Sequence, residues 1–95
     1  MTPQSTIPSH FLLRWYNTKI HVTVARVHEN LFDGEASKVR VPTTGGDIGI
    51  LPHHEPLVAT LKKGRLVVLH DKGEEAYDVE SGVVEVSNNQ VTVIL

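Results

Sequence analysis

Length and composition indicate one small globular domain: the chain has 95 residues, of which 40% are hydrophobic and 21% are charged. The formal net charge of −2 gives the whole chain no electrostatic basis for binding nucleic acid. The chain has no cysteine, which excludes disulfides and thiol nucleophiles, and its apolar runs are too short to cross a membrane.

Residues 1–19 form a leader whose composition differs from that of the rest of the chain. Its prolines and small polar residues favour extended or flexible backbone, and Arg14 and Lys19 give it a charge of +2. Its apolar residues have the spacing of a short helical turn or a docking segment; they are Phe11, Leu12, Trp15 and Tyr16. We expect a partly ordered or flexible N-terminal extension that either folds onto the domain or acts as a docking arm.

From Ile20 onward, apolar residues recur at every second position, which is the period of a β-strand. The predicted strands contain residues 20–24, 39–41, 48–50, 57–61, 66–69, 77–79, 83–86 and 91–95. The continuous apolar run 66–69 predicts a strand that is covered on both faces. Fourteen valines, and no run of helix formers at helical spacing, favour sheet over helix.

Short turn signals separate these strands, as is typical of an all-β fold. They are Asp33-Gly34, Gly45-Gly46, Lys63-Gly64, Asp71-Lys72-Gly73, Ser81-Gly82 and Asn88-Asn89. The last of them lies between two alternating segments and predicts the clearest hairpin. Because so many short strands cannot bury their apolar faces in one flat sheet, we predict a small β-sandwich of about ten strands in two packed sheets over residues 20–95.

Residues that commonly carry catalysis do not form a catalytic motif in this sequence. Ser81-Gly82 lacks the flanking glycine of a nucleophile elbow, and the glycines at 45, 46 and 49 are not followed by the helix or the Gly-Lys-Ser/Thr of a phosphate-binding loop. The acids near the end of the chain are expected on a solvated face that protects sheet edges; they are Glu74, Glu75, Asp78 and Glu80.

The six histidines suggest a metal site, but their spacing does not support one. No H-x-H or HExxH pattern occurs, and His53 and His54 are adjacent, so an extended strand would direct them to opposite faces. Asp47 and Glu55 could complete a site with them only if the loop folds back. We therefore expect solvated or hydrogen-bonded histidines and no metal, with a small His-dependent metal-binding sandwich as the alternative.

The segment 41–57, VPTTGGDIGILPHHEPL, stands out within the valine-rich domain. A hairpin or sheet corner with rigid proline edges explains its glycines and prolines, but it does not explain why Asp47, His53, His54 and Glu55 are clustered. Polar loops at one end of a rigid sandwich often bind partners. These residues are compatible with two interpretations of the segment, a structural turn and a binding site.

This segment resembles the N-terminal domain of the epsilon subunit of F-type ATP synthases. The resemblance rests on GDIGILPHHEPL at 46–57, where the family has glycine, an acid, Leu or Ile, glycine and Ile, followed by its proline–histidine–proline pattern. Flanking pieces agree in order and spacing, and they are FDG at 32–34, LKKG at 61–64, SGVVEV at 81–86 and the closing strand at 89–95. The resemblance covers residues 20–95.

The resemblance implies a non-catalytic, ten-stranded sandwich on the central stalk, where it would link the gamma subunit to the membrane c-ring and couple ion flow to ATP synthesis. It assigns ring-contacting positions to Asp47, Ile48, His53 and His54. It assigns gamma-facing positions, more loosely, to Arg26 and Ala59. It also implies no cofactor, no membrane insertion and a peripheral location on the cytoplasmic face of a bacterial plasma membrane, in preference to a plastid thylakoid.

The sequence departs from the family pattern at several points. Val27 and His28 stand where the family usually has Pro or Ala followed by Glu, and His53 stands where glycine is common. The leader has no counterpart in the family, and the family's C-terminal two-helix domain has none here. We therefore expect neither helix-based inhibition nor ATP binding through that domain. An interaction module outside the synthase, which binds another partner through its leader, remains an alternative.

Overall fold

The computed structural model describes residues 19–95, and these residues form nine β-strands. The strands are β1 (Ile20–Arg26), β2 (Glu29–Ala36), β3 (Lys38–Thr43), β4 (Gly46–Ile50), β5 (Leu57–Leu61), β6 (Gly64–His70), β7 (Gly73–Val79), β8 (Gly82–Ser87) and β9 (Gln90–Ile94). The prediction of an all-β fold is confirmed, with nine strands in this part of the chain instead of about ten. Residues 19–95 contain no helix long and apolar enough to span a membrane. The predicted extension, apart from Lys19, lies outside the described residues.

The strands are hydrogen-bonded into one sheet that curls into two layers. One layer has the order β2-β1-β9-β8-β5, and the other has β3 between β4 and β6, with β7 at its far edge. A single residue pair, Thr43 with Leu61, joins β3 to β5 and so connects the layers. The first and last strands, β1 and β9, run parallel to each other, whereas all other neighbours are antiparallel.

The core lies between the two layers and consists mainly of β-branched side chains, which pack well on a pleated surface. The predicted alternation is confirmed in β1, where Ile20, Val22 and Val24 are fully buried. The other buried apolar residues are Ala36, Val39, Val41, Ile50, Leu61, Leu66, Val68, Val79, Val84, Val86, Val91 and Val93. The prediction that β6 is covered on both faces is wrong, because Leu66 and Val68 are buried while the intervening Val67 and the following Leu69 are only half-buried.

Five of the six predicted turn signals lie where two strands are connected, and one lies inside a strand. Asn88 and Asn89 have φ angles of 51° and 58°, the left-handed conformation of a two-residue hairpin, and they join β8 to β9 as predicted. Asp33-Gly34, in contrast, lies inside β2, a strand that the alternation pattern missed. Asp33 pairs with Thr23 and Gly34 with Val22, so both residues are extended members of the ladder.

The two layers also meet where the edge strand β2 approaches β6 and β7. Leu31 is an extra residue in β2, because the register passes from Phe32 directly to Asn30 opposite β1. The carbonyl of this bulge residue accepts a hydrogen bond of 3.2 Å from the Tyr77 hydroxyl. Burial, with a smaller effect of the Glu75 carboxylate, raises the pKa of Tyr77, so its hydroxyl keeps the proton that it donates.

A second contact closes the same seam through an aromatic pair. The ring of Phe32 stacks on that of His70 with a centroid distance of 5.8 Å and an interplanar angle of 28°. His70 Nδ1 accepts the backbone N–H of Lys72, which leaves Nε2 to donate to Glu75 at 3.3 Å. His70 is therefore a hydrogen-bonded structural residue, as the sequence analysis expected for the histidines.

Candidate interaction surfaces

Asp47 is the second residue of β4, next to the turn that joins β3 to β4. The buried Thr43 shapes this turn: its hydroxyl donates to the Gly46 carbonyl at 2.5 Å and accepts the Gly45 N–H at 3.2 Å. Because neighbouring residues of a strand point to opposite faces, Asp47 is exposed while Ile48 packs against the core. Asp47 forms no ion pair with any residue from 19 to 95.

His53 and His54 lie in the loop that connects β4 to β5. His53 has a φ of 66°, a left-handed conformation that glycine adopts without strain, and its backbone N–H donates to Asn89 Oδ1 at 2.7 Å. The Asn89 amide in turn donates to the Lys19 carbonyl at 2.8 Å. One side chain therefore ties the histidine loop to the β8–β9 hairpin and to the start of β1.

The half-buried His54 is oriented by the loop itself. Its backbone N–H donates to the Leu51 carbonyl at 3.1 Å, and its Nδ1 lies 2.7 Å from the Glu55 carbonyl. Since a carbonyl only accepts, Nδ1 carries a proton in this contact, and Nε2 of the neutral ring is left as the acceptor. The ring edge that includes Nε2 is thus the one available to a partner.

The predicted ring-contacting residues are distributed along β4 and the loop that follows it. Asp47 and Ile50 are three residue steps of extended strand apart, which is about 10 Å, and the histidines follow in the loop. The backbone of Ile50 is held opposite Val39 of β3, so β4 has no freedom to bend the two ends together.

The two predicted gamma-facing residues differ in what they offer to a partner. Arg26 is exposed at the end of β1, beside Val27, whose side chain is 82% exposed in the turn before β2. Ala59 lies in the middle of β5, opposite Val84, and is half-buried with its methyl group against the core. Arg26 and Val27 therefore present a larger contact area than Ala59.

The structure separates the residues of the hypothetical metal site. Within residues 19–95, no three histidine, aspartate or glutamate side chains come close enough to hold a metal ion together. Instead, His21 Nε2 lies 2.7 Å from Asp33, and the Nδ1 atom of His54 faces a carbonyl. The described histidines with these contacts take part in local hydrogen bonding.

A shallow depression of about 370 Å³ opens on the outer face of the four-stranded layer. It is lined by Lys38, Arg40, Asp47, Arg65, Val67, Leu69 and Glu74. Arg40 is central because it pairs with Gly49 of β4 on one side and with Val67 of β6 on the other. Of these residues, only Asp47 was predicted from the sequence as a binding residue, because the other members come together through a strand order that local sequence does not indicate.

Comparison with known sequences identifies one family over the whole described region. The family described as the beta-sandwich domain of the ATP synthase Delta/Epsilon chain matches residues 19–95. The ATP synthase epsilon chain of Bordetella avium is 41% identical over 76 residues, which are 79% of this chain and 54% of that protein. The epsilon chain of Neisseria meningitidis is 40% identical over 77 residues, with 79% and 55% covered. The chain thus spans about half the length of these relatives.

Solved structures share the fold at low sequence identity. A chain in the structure titled "Euglena gracilis mitochondrial ATP synthase, OSCP/F1/c-ring in rotational state 1" superposes with a TM-score of 0.75 at 21% identity, covering 99% of this chain and 68% of that one. A chain from the central stalk and c-ring of the Tetrahymena thermophila mitochondrial ATP synthase gives 0.65 at 13% identity, covering 78% and 60%.

Proposed function

Because the chain belongs to the family of ATP synthase delta/epsilon β-sandwich domains, we propose that it is a non-catalytic subunit of an F-type ATP synthase. In this role it joins the gamma subunit of the central stalk to the polar loops of the membrane c-ring, so that ion translocation is coupled to ATP synthesis. We place it peripherally, on the cytoplasmic face of a bacterial plasma membrane, since its relatives among epsilon chains include bacterial ones.

The exposed Asp47 carboxylate is the observation that carries this proposal. It lies on a rigid strand, its position is fixed by the Thr43 turn, and it forms no ion pair with any residue from 19 to 95. A carboxylate held in this way is available to a basic side chain of a ring loop. An exposed pair of this kind contributes about 0–1 kcal/mol, so several contacts around the ring must share the load.

Close packing suits the sandwich to transmitting torque. A core packed at the density of an organic crystal resists deformation, while polar loops and exposed strand faces contact the neighbours. The seam formed by Tyr77 and Leu31 adds a cross-layer contact on one side. On the gamma side, the exposed Arg26 and Val27 are the residues that we expect to carry most of the contact.

Asp47→Ala combined with His54→Ala in the assembled synthase tests the proposal. We expect membrane vesicles with this double variant to retain ATP hydrolysis but to lose a large part of ion-driven ATP synthesis, because the ring slips relative to the stalk. Glu85→Ala is the matched control, since it removes an exposed acid from β8 in the other layer. Full coupling in the double variant would contradict the role of these two residues.

A further inference from the structure

We infer that the depression around Arg40 is a docking site for an acidic segment of a polypeptide partner in the central stalk or ring. This inference rests on the proposed function, because it adds a second contact of opposite sign beside Asp47. It concerns residues to which neither the sequence motifs nor the family resemblance assigned a role, namely Lys38, Arg40 and Arg65.

The charge at this surface is opposite in sign to that of the rest of the domain. Residues 20–95 contain seven lysines and arginines and eleven acids. Three of these seven cations line the depression, together with only two of the eleven acids. The lining of the depression therefore has a net charge of +1 (three cations and two acids) on a domain whose net charge is −4 (seven cations and eleven acids), and this local difference favours an acidic partner.

Within the described residues, two of the three cations have no ion-pair partner. Neither Lys38 nor Arg40 forms an ion pair with any residue from 19 to 95, and Arg65 has only a long contact of 3.5 Å with the exposed Asp78. Lys38 and Arg40 are two residues apart on β3, so their side chains share a face about 7 Å apart along the strand. Carboxylates on alternate residues of an extended segment have the same spacing.

Gly49 makes room for this arrangement. It pairs with Arg40 across the β3–β4 ladder, and a Cβ atom at its position would lie 3.0 Å from Lys38 Cε. The end of the Lys38 side chain therefore lies over bare backbone, and the side chain is half-buried. A side chain at position 49 would displace it.

The floor of the depression favours a polypeptide over a small anion. Val67 and Leu69 form it, and the backbone groups of β3 there are engaged in ladders with β4 and β6, so they do not present N–H groups to a phosphate. An apolar floor with a central arginine and charged corners is typical of protein interfaces. The volume of about 370 Å³ also far exceeds that of one phosphate group.

Binding of the purified 95-residue chain to the gamma–c-ring complex tests this inference. We expect Arg40→Gln to weaken binding roughly 10-fold and Lys38→Gln roughly 3-fold, because a central arginine contributes more than a rim lysine. Lys63→Gln, which removes an exposed cation between β5 and β6, should change the affinity less than about 2-fold. The affinity of the unmodified chain should fall more steeply with salt than that of Arg40→Gln.

Each outcome separates the two proposals. If the unmodified chain binds and Arg40→Gln behaves like Lys63→Gln, the inference is wrong while the proposed function stands. If the unmodified chain does not bind at all, the proposed function fails. A titration with inorganic phosphate, followed by NMR at constant ionic strength, tests whether the depression is instead a site for a small anion. Chemical-shift changes of Arg40 that saturate below about 1 mM phosphate would show such a site and would overturn the docking site.

Discussion

Gly82→Ala should destabilise the domain because of a single close approach between two strands. Gly82 begins β8 with a φ of 154°, and a Cβ atom there would lie 2.4 Å from the Ile94 carbonyl oxygen and 3.2 Å from Leu95 Cα. Both atoms belong to backbone that cannot easily retreat. Ile94 pairs with Val83 on one side and with Ala25 on the other, and the Leu95 N–H donates to the Ala25 carbonyl at 2.9 Å.

The expected loss follows from two terms. A non-glycine residue held in this sparsely populated backbone conformation costs about 1–3 kcal/mol. Relief of the clash by moving the end of β9 sacrifices about one ladder hydrogen bond, a further 0.5–1.5 kcal/mol. We therefore predict a decrease in the free energy of unfolding of about 2–4 kcal/mol, a large part of the 5–15 kcal/mol typical of a domain.

Gly45→Ala is the matched control, because a Cβ atom at Gly45 would meet only Thr43 Oγ1 at 3.8 Å, which is an ordinary contact. We expect Gly45→Ala either to leave the free energy of unfolding unchanged or to raise it by up to about 1 kcal/mol, since alanine restricts the conformations of the unfolded chain. Urea unfolding followed by far-UV circular dichroism measures the free energy of unfolding of both variants. We expect its slope against urea concentration to be the same as in the unmodified chain. If the free energies of unfolding of Gly82→Ala and Gly45→Ala differ by less than about 0.5 kcal/mol, Gly82 does not lie as close to the end of β9 as the structure indicates.

Two further predictions concern the contacts that hold the layers and the turns. Tyr77→Phe removes the hydrogen bond to the Leu31 carbonyl and should lower the free energy of unfolding by about 1 kcal/mol; no change would show that this hydrogen bond contributes nothing to stability. Asp71 is paired with Lys19, which holds the pKa of the Asp71 carboxyl below its ordinary value of 3.8. The contribution of this ion pair to the free energy of unfolding is fully present above pH 3.8 and is lost as the pH falls through the lowered pKa of Asp71. Asp71→Asn should therefore be less stable than the unmodified chain near neutral pH and equally stable in strong acid. A difference that grows on acidification, measured by urea unfolding at several pH values, would refute this sign.

The parts of the fold that follow from local pattern were predicted from the sequence. Alternation of β-branched residues placed β1, and the Asn88-Asn89 pair placed the β8–β9 hairpin, because each signal is contained within a few residues. The family resemblance identified the domain type from a pattern at 46–57 that these local rules do not explain.

The parts that depend on long-range pairing were not predicted. β2 was missed because its residues are mostly polar and its edge position buries few of them, and Asp33-Gly34 was then mistaken for a turn. The parallel pairing of β1 with β9 joins the two ends of the domain, and no local signal encodes it. The bulge at Leu31 depends on the register with β1 and on the hydroxyl of Tyr77, 46 residues away.

The same limitation applies to the candidate surfaces. Asp47 and His54 were selected from one short segment, but their local sequence does not indicate that Asp47 lies on strand β4 and His54 in the loop that follows it. Asn89 was interpreted only as a turn residue, although its amide group holds the histidine loop. The depression became visible only once β6 was placed beside β3, since that pairing brings Arg65 and Val67 next to Arg40.

Association of the unmodified chain with a purified gamma–c-ring complex is the most direct measurement of the central claim. We predict that the chain co-elutes with the complex in size-exclusion chromatography in a fixed ratio, at concentrations of about 10 μM or below. Elution as a separate species at those concentrations, with the chain folded by circular dichroism, would contradict the claim that this sandwich acts by binding two rotor neighbours.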